Sequence, residues 1–339
     1  MLTPAIDIRF GGTSFNAHVL NVQLSLGLLP AVSSARITFP RGVDVDVNID
    51  DEAEVILDGG EGAAASLKGT VRVVRRTLNG THLIVADNSA RLAAVRPAQT
   101  FEGQDAGKVI AALADMADVK RATNDADLAL AVYTADQRRS AAEHIAHLAE
   151  LSGCLAVMRA DGDLDVLAWP QGSPDLALRY GRELTEYEED SVAIAAATHF
   201  RIGNGPAGSA DAPDALRPSF TYLPSDAAAP GKDSVWRSAP EIRTASDAKA
   251  AGEAATIKHA ARGGRVNFCA WLQPALRPIT VVLVQDLPAG SGGPWLLTQV
   301  RHSVDVNGAT TRADGVRADA ASALDGLLSL AGAALGGLL

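Results

Sequence analysis

Aromatic residues supply only 4% of this 339-residue chain, and it has two cysteines. The first scarcity disfavours a carbohydrate-binding module, which needs exposed aromatic platforms. The second excludes a disulfide framework: Cys154 and Cys269 lie far apart, and two residues do not staple a chain of this size. They read as small buried thiols of a protein folded in the cytoplasm. No basic tract of five or more residues occurs, and the formal charge is −10, which argues against nucleic acid or an anionic membrane surface as the main partner. The first thirty residues lack the charged-then-apolar layout of a signal peptide, since Asp7 and Arg9 sit inside an alternating pattern. Assembly in the cytoplasm is expected.

What is present is a high hydrophobic content, 47%, enough for two or three cores. Period two dominates from Ala5 to Asp87: Ile6, Ile8 and Phe10; Val22, Leu24 and Leu26; Val43, Val45, Val47 and Ile49; then runs at Val55 to Leu57, Leu67 to Val74 and Thr81 to Ala86, the last two joined at Asn79-Gly80. After Pro97 the period lengthens. Ala106, Val109, Ile110, Leu113, Met116 and Ala117 mark one helix; Ser140 with Glu143 caps another that stops at Gly153. Leu155 to Met158 and Leu164 to Trp169 form a hairpin around Asp161-Gly162. Period two returns from Val192 to Ile202, gives way to a Gly-, Ala- and Pro-rich stretch with one strand candidate at Phe220 to Leu223, and resumes at Val266 to Trp271 and Ile279 to Val284 after a helix from about Ser246 to Ala261.

The reading is α+β, mainly β, with two antiparallel β-barrel-like domains flanking an α+β domain. The expected divisions are a first barrel over 1–97, an α+β domain over 98–188, a second barrel over 189–317 holding a loop and helix insertion at about 203–263, and an apolar tail helix over 318–339. In the tail, Leu324, Leu327, Leu328, Leu335 and Leu338 recur at helical spacing. Gly and Ala content and Asp325 argue against a membrane span, so packing on the parent domain or a partner is preferred.

Motifs for chemistry do not assemble. Gly203-x-Gly205-x-x-Gly208 has Pro206 inside it and no strand–helix frame around it. His144 and His147 share a helix face without a third ligand, and read as an exposed or cap-proximal pair. Asp44-x-Asp46-x-Asn48 and Asp161-x-Asp163-x-Asp165 lack the Gly and Glu of a calcium loop, and read as a strand and a turn. No nucleophile elbow occurs, and Glu188, Glu189 and Asp190 are adjacent residues that point apart. His302 lies among apolar residues and reads as a hydrogen-bonded core histidine. Arg75 and Arg76, just before a turn, read as solvated. No catalytic residue, metal or cofactor is expected.

The most telling stretch runs from Trp295-Leu296-Leu297-Thr298-Gln299-Val300-Arg301-His302-Ser303 through Asn307-Gly308 to Ala309-Thr310-Thr311. It reads as a hairpin, with Leu296, Thr298, Val300, His302, Val304 and Val306 on one face, Leu297, Gln299, Arg301, Ser303 and Asp305 on the other, and Asn-Gly supplying the turn. Its wording resembles the closing hairpin of the baseplate hub proteins of contractile injection machines, among them the phage late control D proteins and the N-terminal half of type VI secretion spike proteins. Further landmarks match that family in order. They are Leu67 to Val71; Thr100-Phe101 before Val109-Ile110-x-x-Leu113-Ala114; Gln137 before His147-Leu148-Ala149-Glu150-x-x-Gly153; the Ala-rich helix of Ala245 to Ala261; and Pro278 to Val284, where Ile279 stands in place of a Gly.

The resemblance implies a homotrimeric structural hub without enzymatic activity. Its two β barrels per chain present six similar modules to a six-fold inner tube, and it carries a separate spike protein among the other baseplate proteins of a phage virion or tail-like particle. It also makes the apolar tail a candidate for reaching the spike. A tail-tip binding module for carbohydrate or receptor, or an adaptor on the same fold, is the alternative.

Overall fold

The computed structural model describes residues 5–59, 64–170, 173–191, 198–202, 234–239, 241–242, 245–288 and 290–319. The first β module contains β1 (Ala5–Phe10), β2 (Thr13–Phe15), β3 (Asn21–Gly27), β4 (Ser34–Pro40), β5 (Glu52–Asp58), β6 (Ala64–Thr77) and β7 (Gly80–Ala86). Their alternating side chains leave one face dry, where Ile8, Val22, Leu24, Ile37, Phe39, Val55, Leu57, Val71, Leu83 and Val85 form one core. The strands pair antiparallel in the order β3-β4-β7-β6-β5-β1-β2. Phe15 on the last strand meets Phe39 on β4 edge-on at 5.1 Å between ring centres, so the sheet curls over its own core without closing a ladder. Gly69 lets β6 pass β7: a Cβ there would lie 2.0 Å from the Ala86 carbonyl oxygen.

The run from Val43 to Ile49 is not a strand, contrary to its alternation. Val45 and Val47 are buried as the pattern requires and Ile49 is 61% exposed, but no strand pairs with them. The Arg76 guanidinium instead donates to the Val45 and Val47 carbonyls, at 3.5 and 3.2 Å. Side-chain periodicity reports burial, whereas a strand also needs a ladder partner.

The α+β unit follows: α1 (Ser89–Ala94), β8 (Gln99–Asp105), α2 (Ala106–Met116), β9 (Arg121–Asn124), β10 (Ala129–Ala135), α3 (Ala141–Leu151), β11 (Cys154–Met158) and β12 (Leu164–Ala168). α2 buries Val109, Ile110 and Leu113, and α3 buries Ile145 and Leu148, all in one core. Ser140 and Glu143 make the full capping box at the start of α3, satisfying two otherwise orphaned N–H groups. Gly153, at φ +70°, ends α3 and turns the chain into β11.

The second β module holds β13 (Leu176–Arg179), β14 (Leu184–Ser191), β15 (Thr198–Ile202), β16 (Ser234–Ser238), α4 (Ala245–Ala261), β17 (Gly264–Trp271), β18 (Val281–Leu287), β19 (Gly290–Asp305) and β20 (Gly308–Arg317). Its core is Leu178, Leu184, Val266, Phe268, Val282, Trp295, Leu297 and Val300. The inserted α4 does not pack there. Its Ala248 and Ala251, with Ala239 and Ile242, join the core of the α+β unit. The Gly203–Gly208 motif and the Phe220–Leu223 strand candidate lie outside the described residues.

The closing hairpin departs from strict alternation. The pairing of β19 with β20 shifts between Leu297 and Gln299, so Thr298 is an extra residue. This phase change puts Leu297 in the core with Trp295 and Val300, while Leu296 packs on the other side with Val281 and Ala318. The turn also differs from the expected Asn-Gly pair. Asp305 pairs with Gly308, and in the first module Thr77 pairs with Gly80, so the loops are Val306-Asn307 and Leu78-Asn79. Gly308 and Gly80, at φ +139° and +152°, each open the returning strand. Val306 is therefore a turn residue, 83% exposed.

The two β modules repeat one topology. Strands β3-β4-β7-β6-β5-β1 of the first match β14-β17-β20-β19-β18-β13 of the second, in the same chain order; one difference is that β1 runs antiparallel to β5 and β13 parallel to β18. Details repeat too. Asp50 and Ile279 both take positive φ, +69° and +76°. The Asp50 N–H donates to Val71 and the Ile279 N–H to Leu297, while Val71 and Leu297 donate back to Asp51 and Thr280. Each accepting residue stands just before a bulge, Arg72 in β6 and Thr298 in β19. Four residues beyond each bulge, Arg76 bonds the Val47 carbonyl and His302 the Leu276 carbonyl. Ile279 stands where the hub resemblance expects a Gly, and its φ of +76° is the left-handed backbone that would favour one.

The modules are not separate sheets. The far half of β19, Gln299–Asp305, pairs antiparallel with β3, making one 13-stranded sheet. Arg277 adds a cross-link by donating to the Ser66 carbonyl at 3.2 Å.

Candidate interaction surface

The titratable groups buried in the cores are engaged in holding the fold, while two buried polar atoms, Trp295 Nε1 and Ser152 Oγ, have no hydrogen-bond partner among the described residues. His302 is fully buried, with Nδ1 2.9 Å from Thr311 Oγ1 and Nε2 3.1 Å from the Leu276 carbonyl, and burial pulls its pKa down to about 4. His144 is also buried, so of the exposed or cap-proximal pair expected it is the second description that fits: its backbone N–H donates to the Ser140 cap carbonyl at 3.0 Å. It sits 2.8 Å from the Tyr133 hydroxyl and 3.0 Å from the Asp136 carbonyl because α3 lays this face against β10. His147 turns instead to Glu241, at 3.1 Å. Cys154 and Cys269 are free, buried thiols, and burial pushes the Cys154 pKa up to about 11, far from a thiolate nucleophile. Asp87 is buried against Ser89 and the Arg277 side chain, and desolvation raises its pKa to about 6. The hydroxyls that stand beside His302 and Asp87, those of Thr311 and Ser89, are themselves fully buried. Among the described residues no group of three His, Cys, Asp or Glu side chains is placed to hold a metal, and the Asp44 and Asp161 triplets form none.

The exposed features are of another kind. Each long hairpin ends in an aliphatic residue held out to solvent, Leu78 at 88% and Val306 at 83% exposure. The far half of β6, Val73–Thr77, pairs with β7 but has no strand on its other side among the described residues, since β5 pairs only as far as Thr70. It carries the exposed Arg75 and Arg76 and follows Arg72 at the bulge. At the opposite end of the sheet β14 is also an edge, paired among the described residues with β17 alone beyond a single bridge at its start, and it carries Glu186, Glu188, Glu189 and Asp190. The charge blocks are plain in the sequence; that both fall on open edges is not.

A groove of about 460 Å³ lies between the α+β unit and the second module, lined by Leu28, Leu29, Ala156, Trp169, Ile257 and Leu296. Trp169 Nε1 donates to the Ala318 carbonyl at 3.4 Å, on its wall. The tail leucines Leu324, Leu327, Leu328, Leu335 and Leu338 lie outside the described residues. No helix among the described residues is long and apolar enough to cross a membrane.

No family model matches the chain, and no curated protein matches its sequence. Solved structures do match its fold. The 43 kDa tail protein of prophage MuSo2 from Shewanella oneidensis superposes with a TM-score of 0.68 at 14% identity, over 94% of this chain and 99% of that one. A tail protein from Neisseria meningitidis gives 0.70 at 13% identity, over 93% and 97%. An E. coli component of the type VI secretion system, itself structurally similar to the bacteriophage T4 tail proteins gp27 and gp5, gives 0.61 at 9% identity, over 91% and 76%. Along nearly its whole length, then, the chain has the fold of phage tail proteins and their type VI secretion counterparts.

Proposed function

We propose that this protein is a structural hub in a contractile tail-like injection machine, a homotrimer that joins a six-fold inner tube to a separate central spike. The observation that carries the reading is the internal repeat: two modules of the same strand order per chain give six per trimer, matching a six-fold partner with a three-fold one. In such a ring the equivalent hairpin tips at Leu78 and Val306 project from one end as six apolar points, suited to docking on the tube. The division into a first barrel (1–97), an α+β domain (98–188) and a second barrel (189–317) belongs to the same proposal, as does a partner-binding role for the tail leucines Leu324 to Leu338.

The role is mechanical. Buried groups held in structural hydrogen bonds, and a sheet continuous across both modules, suit a part that carries load rather than one that turns over substrate. Other baseplate proteins complete its surroundings, in a virion or tail-like particle. Negative-stain microscopy of the full-length protein mixed with a cognate inner tube protein tests this. Six-lobed rings capping tube ends are expected. Tubes with bare ends, beside hub protein that forms no ring, overturn it.

A further inference from the structure

The two open edges, β14 and the far half of β6, have a counterpart inside the chain. β14 is the equivalent of β3, and the far half of β6 is the equivalent of the far half of β19. β3 and β19 pair with each other. Along the sheet β14 and β6 are separated by β17, β20, β19, β3, β4 and β7, so they cannot make the same pairing within one chain. We infer that β14 of one copy adds antiparallel to the far half of β6 of the next, repeating between chains the joint that β3 and β19 make within one.

The internal joint also sets the register. Leu24 lies opposite Ala35, which lies opposite Val85, the partner of Val71. In the second module Glu189 lies opposite Val266, which lies opposite Gly315, the partner of Leu297. Because Val71 and Leu297 are equivalent, Leu24 and Glu189 are too. Leu24 pairs with His302 and Ser25 with Arg301. His302 corresponds to Arg76 through their shared bonds to the Leu276 and Val47 carbonyls. The carried-over pairs are therefore Glu189 opposite Arg76 and Asp190 opposite Arg75.

Both are opposite-charge pairs on directly facing positions, the favourable case for cross-strand neighbours. The register follows from backbone pairing alone, so the match of charges is independent support. Arg75 and Asp190 form no ion pair with any described residue in the single chain, whereas Glu189 already lies 3.4 Å from Arg317, Glu186 2.9 Å from Arg312 and Arg72 2.8 Å from Asp50, so Arg75 with Asp190 is the pair that carries the charge complementarity. Main-chain ladder bonds supply the contact and the charges its direction, as in strand addition generally. Such a head-to-tail contact closes into a ring or runs on as a filament. Closure at three chains rests on the hub reading.

Light scattering on the full-length protein tests the joint, with three variants: Arg75→Glu with Arg76→Glu, Glu189→Arg with Asp190→Arg, and all four changes in one chain. The wild type is expected at three times 35.0 kDa, each double variant at 35.0 kDa, and the fourfold variant back at the three-chain mass. A double variant that keeps the wild-type three-chain mass overturns the pairing and leaves the hub reading standing. A wild type at 35.0 kDa over the whole concentration range overturns both. Should a reversed variant fail to fold, Arg75→Cys with Asp190→Cys decides. Oxidation is expected to link three chains covalently, and a wild-type-like trimer without that cross-link overturns the pairing.

Discussion

Asp87 and His302 bend the pH dependence of stability in opposite directions over the same interval. The Asp87 carboxyl titrates near 6 in the fold against 3.8 when unfolded, so between those values the native state holds the extra proton and stability falls as pH rises. His302 titrates near 4 in the fold against 6.5 unfolded. There the unfolded state holds the extra proton, and stability rises with pH. At about 1.36 kcal/mol per pH unit each effect amounts to roughly 3 kcal/mol. They nearly cancel in the wild type. Asp87→Asn removes the first, so relative to the wild type this variant is expected to gain roughly 3 kcal/mol between pH 4 and 6. His302→Gln removes the second, and its difference from the wild type is expected to move the other way by a similar amount between pH 4 and 6.5. Urea unfolding followed by tryptophan fluorescence at half-unit pH steps measures both curves, and the differences isolate the two groups from exposed carboxylates such as Asp136 and Glu143. Difference curves that are flat with pH would refute the assigned burial of these side chains.

Three further outcomes follow from the packing. Gly69→Ala is expected to destabilise the first module by about 3 kcal/mol in chemical denaturation, because its Cβ would meet the Ala86 carbonyl carbon and oxygen at 2.6 and 2.0 Å. Ser140→Ala removes the capping box of α3 and is expected to cost about 1 kcal/mol, with Ser140→Asp retaining most of the stability. Leu78→Asp with Val306→Asp is expected to leave stability within about 0.5 kcal/mol and, on the proposed hub role, to weaken sedimentation with inner tubes at least tenfold; unchanged co-sedimentation removes the hairpin tips from the proposed tube contact.

Elements with a local signature were legible in the sequence. The Ser140–Glu143 box, the Gly153 stop, the Asp161-Gly162 turn and the period of α2 each depend on residues within one or two turns of each other. What depended on distant partners was not. Val43 to Ile49 alternates as a strand does, yet its carbonyls are met by Arg76 rather than by a ladder. Thr298 is an extra residue only relative to β20, so the faces of Leu296 and Leu297 could not be read along one strand. The repeat of the two modules was hidden because it resides in backbone geometry: Asp50 and Ile279 share a conformation, and Arg76 and His302 share a task, with no side chain in common. Of the interaction surface, the acidic and basic blocks were visible, while their places on open strand edges required the topology.

The ladder between β3 and β19 gives the joint between the modules a preferred direction of strength. Seven residue pairs, from Gln299 with Gly27 to Asp305 with Asn21, span it. A pull along the strands shears all seven at once, so no hydrogen bond yields until the whole set does. A pull across them opens the ladder from one end, one pair at a time. The same joint is therefore stiff along one axis and a zipper along the other, and the direction of a load decides whether it is carried across the joint or the modules part.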